Sequence, residues 1–129
     1  MTSANPKFDK AGTFIGSSFC FATPRDFARF GLLYLRGGLW EGKRLLPERW
    51  IDYARTPTWQ QPNDDGPYGA HWWIGLAGPG SFSANGYDGQ FTVAVPDLDM
   101  VLVRNGKTPA AMKNNVKRWL ADIADCFRS

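Results

Sequence analysis

The sequence predicts an α+β fold in which two helices precede an antiparallel β-meander and a C-terminal helix packs on the resulting sheet. Three observations lead there. Apolar residues recur at the three and four spacing of a helix face before Arg55 and again after Thr108. Four runs rich in aromatic and β-branched residues fill Tyr68 to Arg104. Gly and Pro-Asp turns separate those runs.

The first helix opens at Thr23-Pro24, an N-cap followed by a first-turn proline, with Asp26 as an acid in the first turn and Gly37-Gly38 as a stop. Phe27, Phe30, Leu33 and Tyr34 share one face, while Arg25, Arg29 and Arg36 point elsewhere. Leu39 to Leu46 carries a central Gly42 between apolar flanks and suits a tight turn. Pro47 opens a second short helix through Arg55. Thr56 to Pro67, dense in Pro, Gln, Asn and Asp, reads as a surface loop.

The meander comprises Tyr68 to Leu76, Ser81 to Asn85, Gln90 to Val95 and Met100 to Arg104. Met100 to Val103 is apolar throughout, as expected of a strand covered on both faces. Thr108-Pro109 starts the last helix, with Met112, Val116, Trp119, Leu120, Ile123 and Phe127 as an inward stripe. Residues 1–12 lack periodicity and read as a tail or linker remnant, leaving 13–129 as the partial domain.

Composition narrows the function. A chain of 129 residues with 43% hydrophobic and 15% aromatic residues can build one packed core. Fifteen Lys and Arg against 12 Asp and Glu leave a net charge of +3, without the basic cluster that a nucleic-acid partner would require. No stretch reaches the roughly 18 apolar residues of a membrane span, and Met1 to Lys10 has no apolar signal-peptide core. A complete chain of this kind would be cytoplasmic. Cys20 and Cys126 read as small buried hydrophobes with reduced thiols.

One His and two distant Cys cannot form a zinc site, and no other cofactor is called for. His71, placed by this reading in a strand opposite Trp72, is expected to be a satisfied structural residue. No phosphate-binding loop, dinucleotide fingerprint or Gly-x-Ser-x-Gly elbow is present. Ser17 and Ser18 have nothing nearby to activate them and read as part of a turn. In Asn85-Gly86-Tyr87-Asp88-Gly89-Gln90, two glycines bracket a Tyr and an Asp between apolar strands, allowing a backbone to approach a ligand. A hairpin turn with positive-φ glycines accounts for the same residues, so spacing alone does not identify a site.

Ile15-Gly16-Ser17-Ser18-Phe19-Cys20-Phe21-Ala22-Thr23-Pro24-Arg25-Asp26-Phe27-Ala28-Arg29-Phe30-Gly31, then Gly37-Gly38 and Gly42-Lys43-Arg44-Leu45-Leu46-Pro47, together with Asn85 to Pro96, resemble the downstream part of a serine hydrolase of the class C β-lactamase, penicillin-binding-protein and esterase type. The resemblance runs from Gly12 to Phe127 and implies the C-terminal part of a β-lactamase or transpeptidase-like fold. It makes Tyr87-Asp88-Gly89 the counterpart of the Lys-Thr-Gly or His-x-Gly triplet. By the same resemblance, Gln90 N–H is an oxyanion-hole donor and Tyr87 lines the substrate cleft.

The family's Ser-x-x-Lys nucleophile and Tyr-x-Asn element are not in this sequence, and Lys107-Thr108-Pro109 has Pro where the triplet needs Gly. The resemblance therefore implies a fragment inactive by itself, contributing to the hydrolysis of a small-molecule ester or amide by a parent enzyme. Tyr87 in place of Lys or His favours ester or amide over β-lactam substrates. The expected partners are a complementary N-terminal chain, or a second copy meeting a bare strand edge at Met100 to Arg104. The competing reading is a non-catalytic domain that binds a ligand or protein through the Tyr87 loop and Trp72-Trp73.

Overall fold

A computed structural model describes residues 1–16, 18–60 and 66–128, with Ser17, the stretch 61–65 and Ser129 outside it. Helix α1 spans Pro24–Leu35, capped by the Thr23 hydroxyl accepting from Asp26 N–H. Strands β1 (Leu39–Trp40) and β2 (Lys43–Arg44) form a small hairpin. Its two central residues, Glu41 at φ 47° and Gly42 at φ 77°, are both left-handed, which matches the twist of a two-residue β-turn. Helix α2 covers Glu48–Arg55 behind Pro47.

A six-stranded antiparallel sheet follows in sequential order: β3 (Trp59–Gln60), β4 (Pro67–Tyr68), β5 (Trp73–Ile74), β6 (Phe82–Asn85), β7 (Phe91–Val95) and β8 (Met100–Arg104). Helix α3, Lys113–Asp125, closes the chain. The order α, α, meander, α is the one that the periodicities predict.

Three local expectations are corrected. The expected surface loop contributes β3, paired with β4 through Trp59↔Tyr68. The run Tyr68 to Leu76 is broken into β4 and β5 by a tight turn in which Gly69 N–H donates to Trp72 O at 2.8 Å and His71 takes φ 70°. Thr108-Pro109 precedes a 3-10 turn, Ala110–Met112, and α3 begins only at Lys113. Thr108 is no helix cap, because its hydroxyl accepts from Arg104 Nη2 at 2.6 Å.

The pleat divides the core between the two faces of the sheet. On one face Trp72, Phe82 and Ala94 pack under Tyr34, Ile51 and Ala54 of the first two helices. Trp72 stacks on Phe30 at 5.6 Å, meets Tyr34 at 4.8 Å and stands edge-on to Phe82 at 4.9 Å, each a favourable ring geometry. On the other face Phe91, Val93 and Val95 lie under Leu120 and Ala124 of α3.

Every residue of β7 is buried, whereas β8 is covered on both faces but only partly buried along its length. The reason is its place at the edge of the sheet, as the family resemblance implies. The α3 stripe is narrower than expected, with Leu120 buried but Met112, Trp119 and Phe127 50%, 53% and 64% exposed. Arg128 locks the end of this helix by donating to Asp97 Oδ2 at 2.8 Å, Asp125 Oδ1 at 2.5 Å and Ala77 O at 2.5 Å.

Helix α1 lies very close to β7 and β8. A Cβ on Gly31 would stand 2.8 Å from Val101 Cγ1 and 3.1 Å from Thr92 Cγ2. Residues 1–12 make an isolated bridge between Asn5 and Phe21 and another between Phe8 and Phe14. Their anchor is Asp26, whose side chain is 1% exposed. Its Oδ2 accepts from Ser3 Oγ at 2.6 Å, Ser3 N–H at 2.7 Å and Thr2 N–H at 2.9 Å, and Oδ1 accepts from Arg29 at 2.6 Å. The Ser3 hydroxyl, then the Ser3 amide and the Arg29 guanidinium, hold its carboxyl well below the usual carboxylate range against the opposing effect of burial.

Two predictions follow from this packing. Gly31→Val costs about 1–3 kcal/mol of unfolding free energy in urea titration, because the close helix approach must open. Gly31→Ala costs less, since alanine's helix propensity returns about 1 kcal/mol. Because the folded-state pKa of Asp26 is depressed, its contribution is complete above the unfolded value near ~4 and is lost as pH falls below it. Thermal melts of Asp26→Asn should therefore fall less steeply with acidification than those of the parent; parallel curves would remove Asp26 from the acid response.

Candidate active-site loop

The four residues singled out by the sequence form one loop between β6 and β7. Gly86 N–H donates to Gln90 O at 2.8 Å, so the antiparallel ladder continues one step beyond Asn85↔Phe91 before the chain reverses. Tyr87–Gly89 makes a single 3-10 turn with an interruption at Asp88, which is left-handed at φ 56°. Gly89 follows at φ 79° and is buried, and a Cβ there would stand 2.9 Å from Arg104 Nη1 and 3.2 Å from Thr108 Cβ. Only glycine combines that dihedral with that proximity.

Tyr87 is 88% exposed at the tip of the turn. Asp88 lies below it, its carbonyl accepting from Thr108 N–H at 2.9 Å. Gln90 N–H points back to Tyr87 O at 3.4 Å, a long and weak contact that an incoming acceptor can displace. The Gln90 side chain is fixed by Gly106, donating to its carbonyl at 2.5 Å and accepting from its amide at 3.0 Å. The loop thus presents one exposed aromatic ring beside a firmly held Gln90 side chain.

The supporting residues Arg104, Gly106 and Thr108 were not found by sequence reasoning. A signal was present in Arg104, a charge that closes the otherwise apolar run Met100 to Val103. Nothing in the spacing, however, links it to a loop fifteen positions earlier.

Other sequence expectations change. His71 is neither in a strand nor buried: it is exposed at the β4–β5 turn, where its positive φ makes the reversal possible. Trp72 is 1% exposed, so it belongs to the core and cannot contact a ligand. Its neighbour Trp73 faces the opposite side and borders an open cleft of about 470 Å³ with Asn85, Lys117, Arg118 and Ala121. Asn85 Oδ1 and Ser83 Oγ are buried on that side without a hydrogen-bond partner among the described residues. Cys20 and Cys126 are free and exposed, because Phe19-Cys20-Phe21 lies on the surface and the outer end of α3 is uncovered. Ser18 is exposed, and Ser17 lies outside the described residues.

Phe8, Phe14, Phe19 and Phe21 are each more than half exposed, giving the N-terminal segment an aromatic surface unusual for a chain of this size. Among the described residues, no group of three or more His, Cys, Asp or Glu could hold a metal ion, and no helix is long and apolar enough to cross a membrane.

Comparison with known proteins gives this geometry a context. A solved structure titled "Putative 6-aminohexanoate-dimer hydrolase from Bacillus anthracis" superposes with a TM-score of 0.78 at 28% sequence identity. The match covers 97% of this chain and 34% of that one, so the chain spans about a third of its structural relative. No curated protein matches the sequence. The Beta-lactamase family matches residues 2–124, nearly the whole length and including both the Asp26 anchor and the Tyr87 loop. The chain belongs to the beta-lactamase family.

Proposed function

We propose that this chain forms one wall of the active site of a serine hydrolase that cleaves small esters or amides, with the nucleophilic serine and its activating lysine supplied by polypeptide outside residues 1–129. The observation that carries this reading is the loop itself. Gln90 offers a backbone N–H with only a 3.4 Å internal partner, next to a buried left-handed glycine and a fully projecting tyrosine. A donor held in this way suits the negative oxygen that develops when an acyl group becomes tetrahedral.

The roles follow from chemistry. Gln90 N–H stabilises the oxyanion, and Tyr87 lines the cleft and contacts the acyl or leaving group. The sequence contains no serine followed three positions later by lysine and no tyrosine followed two positions later by asparagine, so neither acylation nor its proton transfers can be assigned to its residues. An ester or linear amide is favoured over a β-lactam because Tyr87 brings no positive charge for a substrate carboxylate. The name of the structural relative, a dimer hydrolase for 6-aminohexanoate, also points to an amide. The open edge of β8 and the exposed phenylalanines are where complementary polypeptide would add strands and cover aromatic surface.

A fluorophosphonate probe tests the division of labour. The 129-residue chain alone gains no adduct mass, whereas the chain joined to, or co-expressed with, the family's Ser-x-x-Lys and Tyr-x-Asn segment is labelled and hydrolyses p-nitrophenyl esters or anilides in preference to a chromogenic cephalosporin. Labelling of the isolated chain would sink the proposal. In the active assembly, Gln90→Pro removes the donor at a position whose φ of −75° already suits proline, and kcat falls by about 10²–10³.

A further inference from the structure

We propose that Arg104 is the positioning residue for the Gln90 donor, gripping the carbonyl of the peptide whose N–H serves as that donor. This rests on the oxyanion reading of Gln90 and adds the device that aims it. The Arg104 guanidinium donates from Nη1 to Gly89 O at 2.5 Å and to Gly106 O at 3.3 Å, and from Nη2 to Thr108 Oγ1 at 2.6 Å. All three acceptors are neutral, so the positive charge is spent on orienting dipoles.

Gly89 C=O and Gln90 N–H belong to one peptide unit. This peptide is trans, so the two groups point in opposite directions from a rigid plane. Fixing the oxygen fixes the hydrogen. A charged donor on the carbonyl also polarises the amide and strengthens its N–H as a donor.

The seat for the guanidinium is built from two glycines. A Cβ on Gly89 would meet Arg104 Nη1 at 2.9 Å, and one on Gly106 would meet Nη2 at 3.0 Å and Cζ at 3.1 Å. Gly106 serves twice, since its backbone also clamps the Gln90 side chain at 2.5 and 3.0 Å. Arg104 reaches the loop because it pairs with Phe91 at the end of the β7–β8 ladder, placing its side chain on the α3 face beside Gly89. Lysine cannot substitute fully, because one ammonium lacks the planar fork that reaches Gly89 and Thr108 together.

The test is the amide spectrum of the 15N-labelled chain. Arg104→Met shifts the Gln90 amide resonance, because its peptide loses the charged donor, and speeds exchange at Thr108 N–H and Gly106 N–H by about tenfold or more, while the core amides of Val93 and Leu102 keep their protection. Arg104→Lys gives an intermediate Gln90 shift. If Arg104→Met fails to fold, Gly106→Ala decides, because it crowds the guanidinium while keeping the charge and a backbone of ordinary φ; it should move the same resonance. An unmoved Gln90 resonance in the folded variant overturns the proposal, whatever the hydrolase assay reports. In the active assembly, Arg104→Met lowers kcat with KM unchanged, and a change in KM alone overturns the catalytic consequence while leaving the oxyanion role of Gln90 to be judged by Gln90→Pro.

Discussion

The structure depends on the complete burial of one strand. Phe91–Val95 is shielded on both faces, so its alternate residues need an apolar cover on each side: α1 and α2 over Ala94, and α3 over Phe91, Val93 and Val95. Removing either cover would expose half of a central strand that has no polar alternation to fall back on. The close approach at Gly31, the ring cluster around Trp72 and the Arg128 anchor at the end of α3 all serve this requirement. The ladder between β7 and β8 runs along this buried strand, and the candidate loop precedes it at the Phe91 end.

Features governed by local rules were legible in the sequence. The Thr23-Pro24 start, the Gly37-Gly38 stop, the Pro47 start and the Gly42 turn each follow from dihedral preferences within a few residues, and each lies where those preferences put it. The Tyr87 loop was legible as a turn, and its reading as a site element came from the family resemblance alone. What was not legible depends on tertiary partners. Thr108 looks like a helix cap because Thr-Pro usually is one, yet its hydroxyl serves Arg104. His71 follows an apolar pattern that suggests a strand, but the chain must reverse there for β5 to pair antiparallel with β4 through Tyr68↔Trp73. Cys20 sits between two phenylalanines that look like core, and that segment lies outside the cover of any helix.

Asp26 shows how a single buried carboxylate can organise a stretch without regular structure. It combines the N-terminal end of α1, where backbone amides favour negative charge, with three donors from Thr2 and Ser3. Residues that lack periodicity are thereby tied to the helix that covers β7 and β8. The aromatic surface of the same segment is the counterpart of that order, since Phe8 and Phe14 contact each other at 5.9 Å rather than the core. The segment is therefore anchored by hydrogen bonds on its inner side and apolar on its outer side.

The positions of charge and glycine around the loop separate stability from chemistry. The apolar ladder ends at Phe91 and Arg104, a register pair in which one residue closes the core and the other turns toward backbone carbonyls. From that point inward the strands are held by burial, and beyond it the chain is held by hydrogen bonds, among them those of the Arg104 guanidinium, the Gln90 side-chain amide and Thr108 N–H to Asp88 O. Burial resists small displacements in every direction, whereas a trans peptide gripped at its oxygen keeps only its orientation fixed. The Gly89–Gln90 peptide is thereby held in one orientation by Arg104, while the Tyr87 side chain beside it projects into solvent.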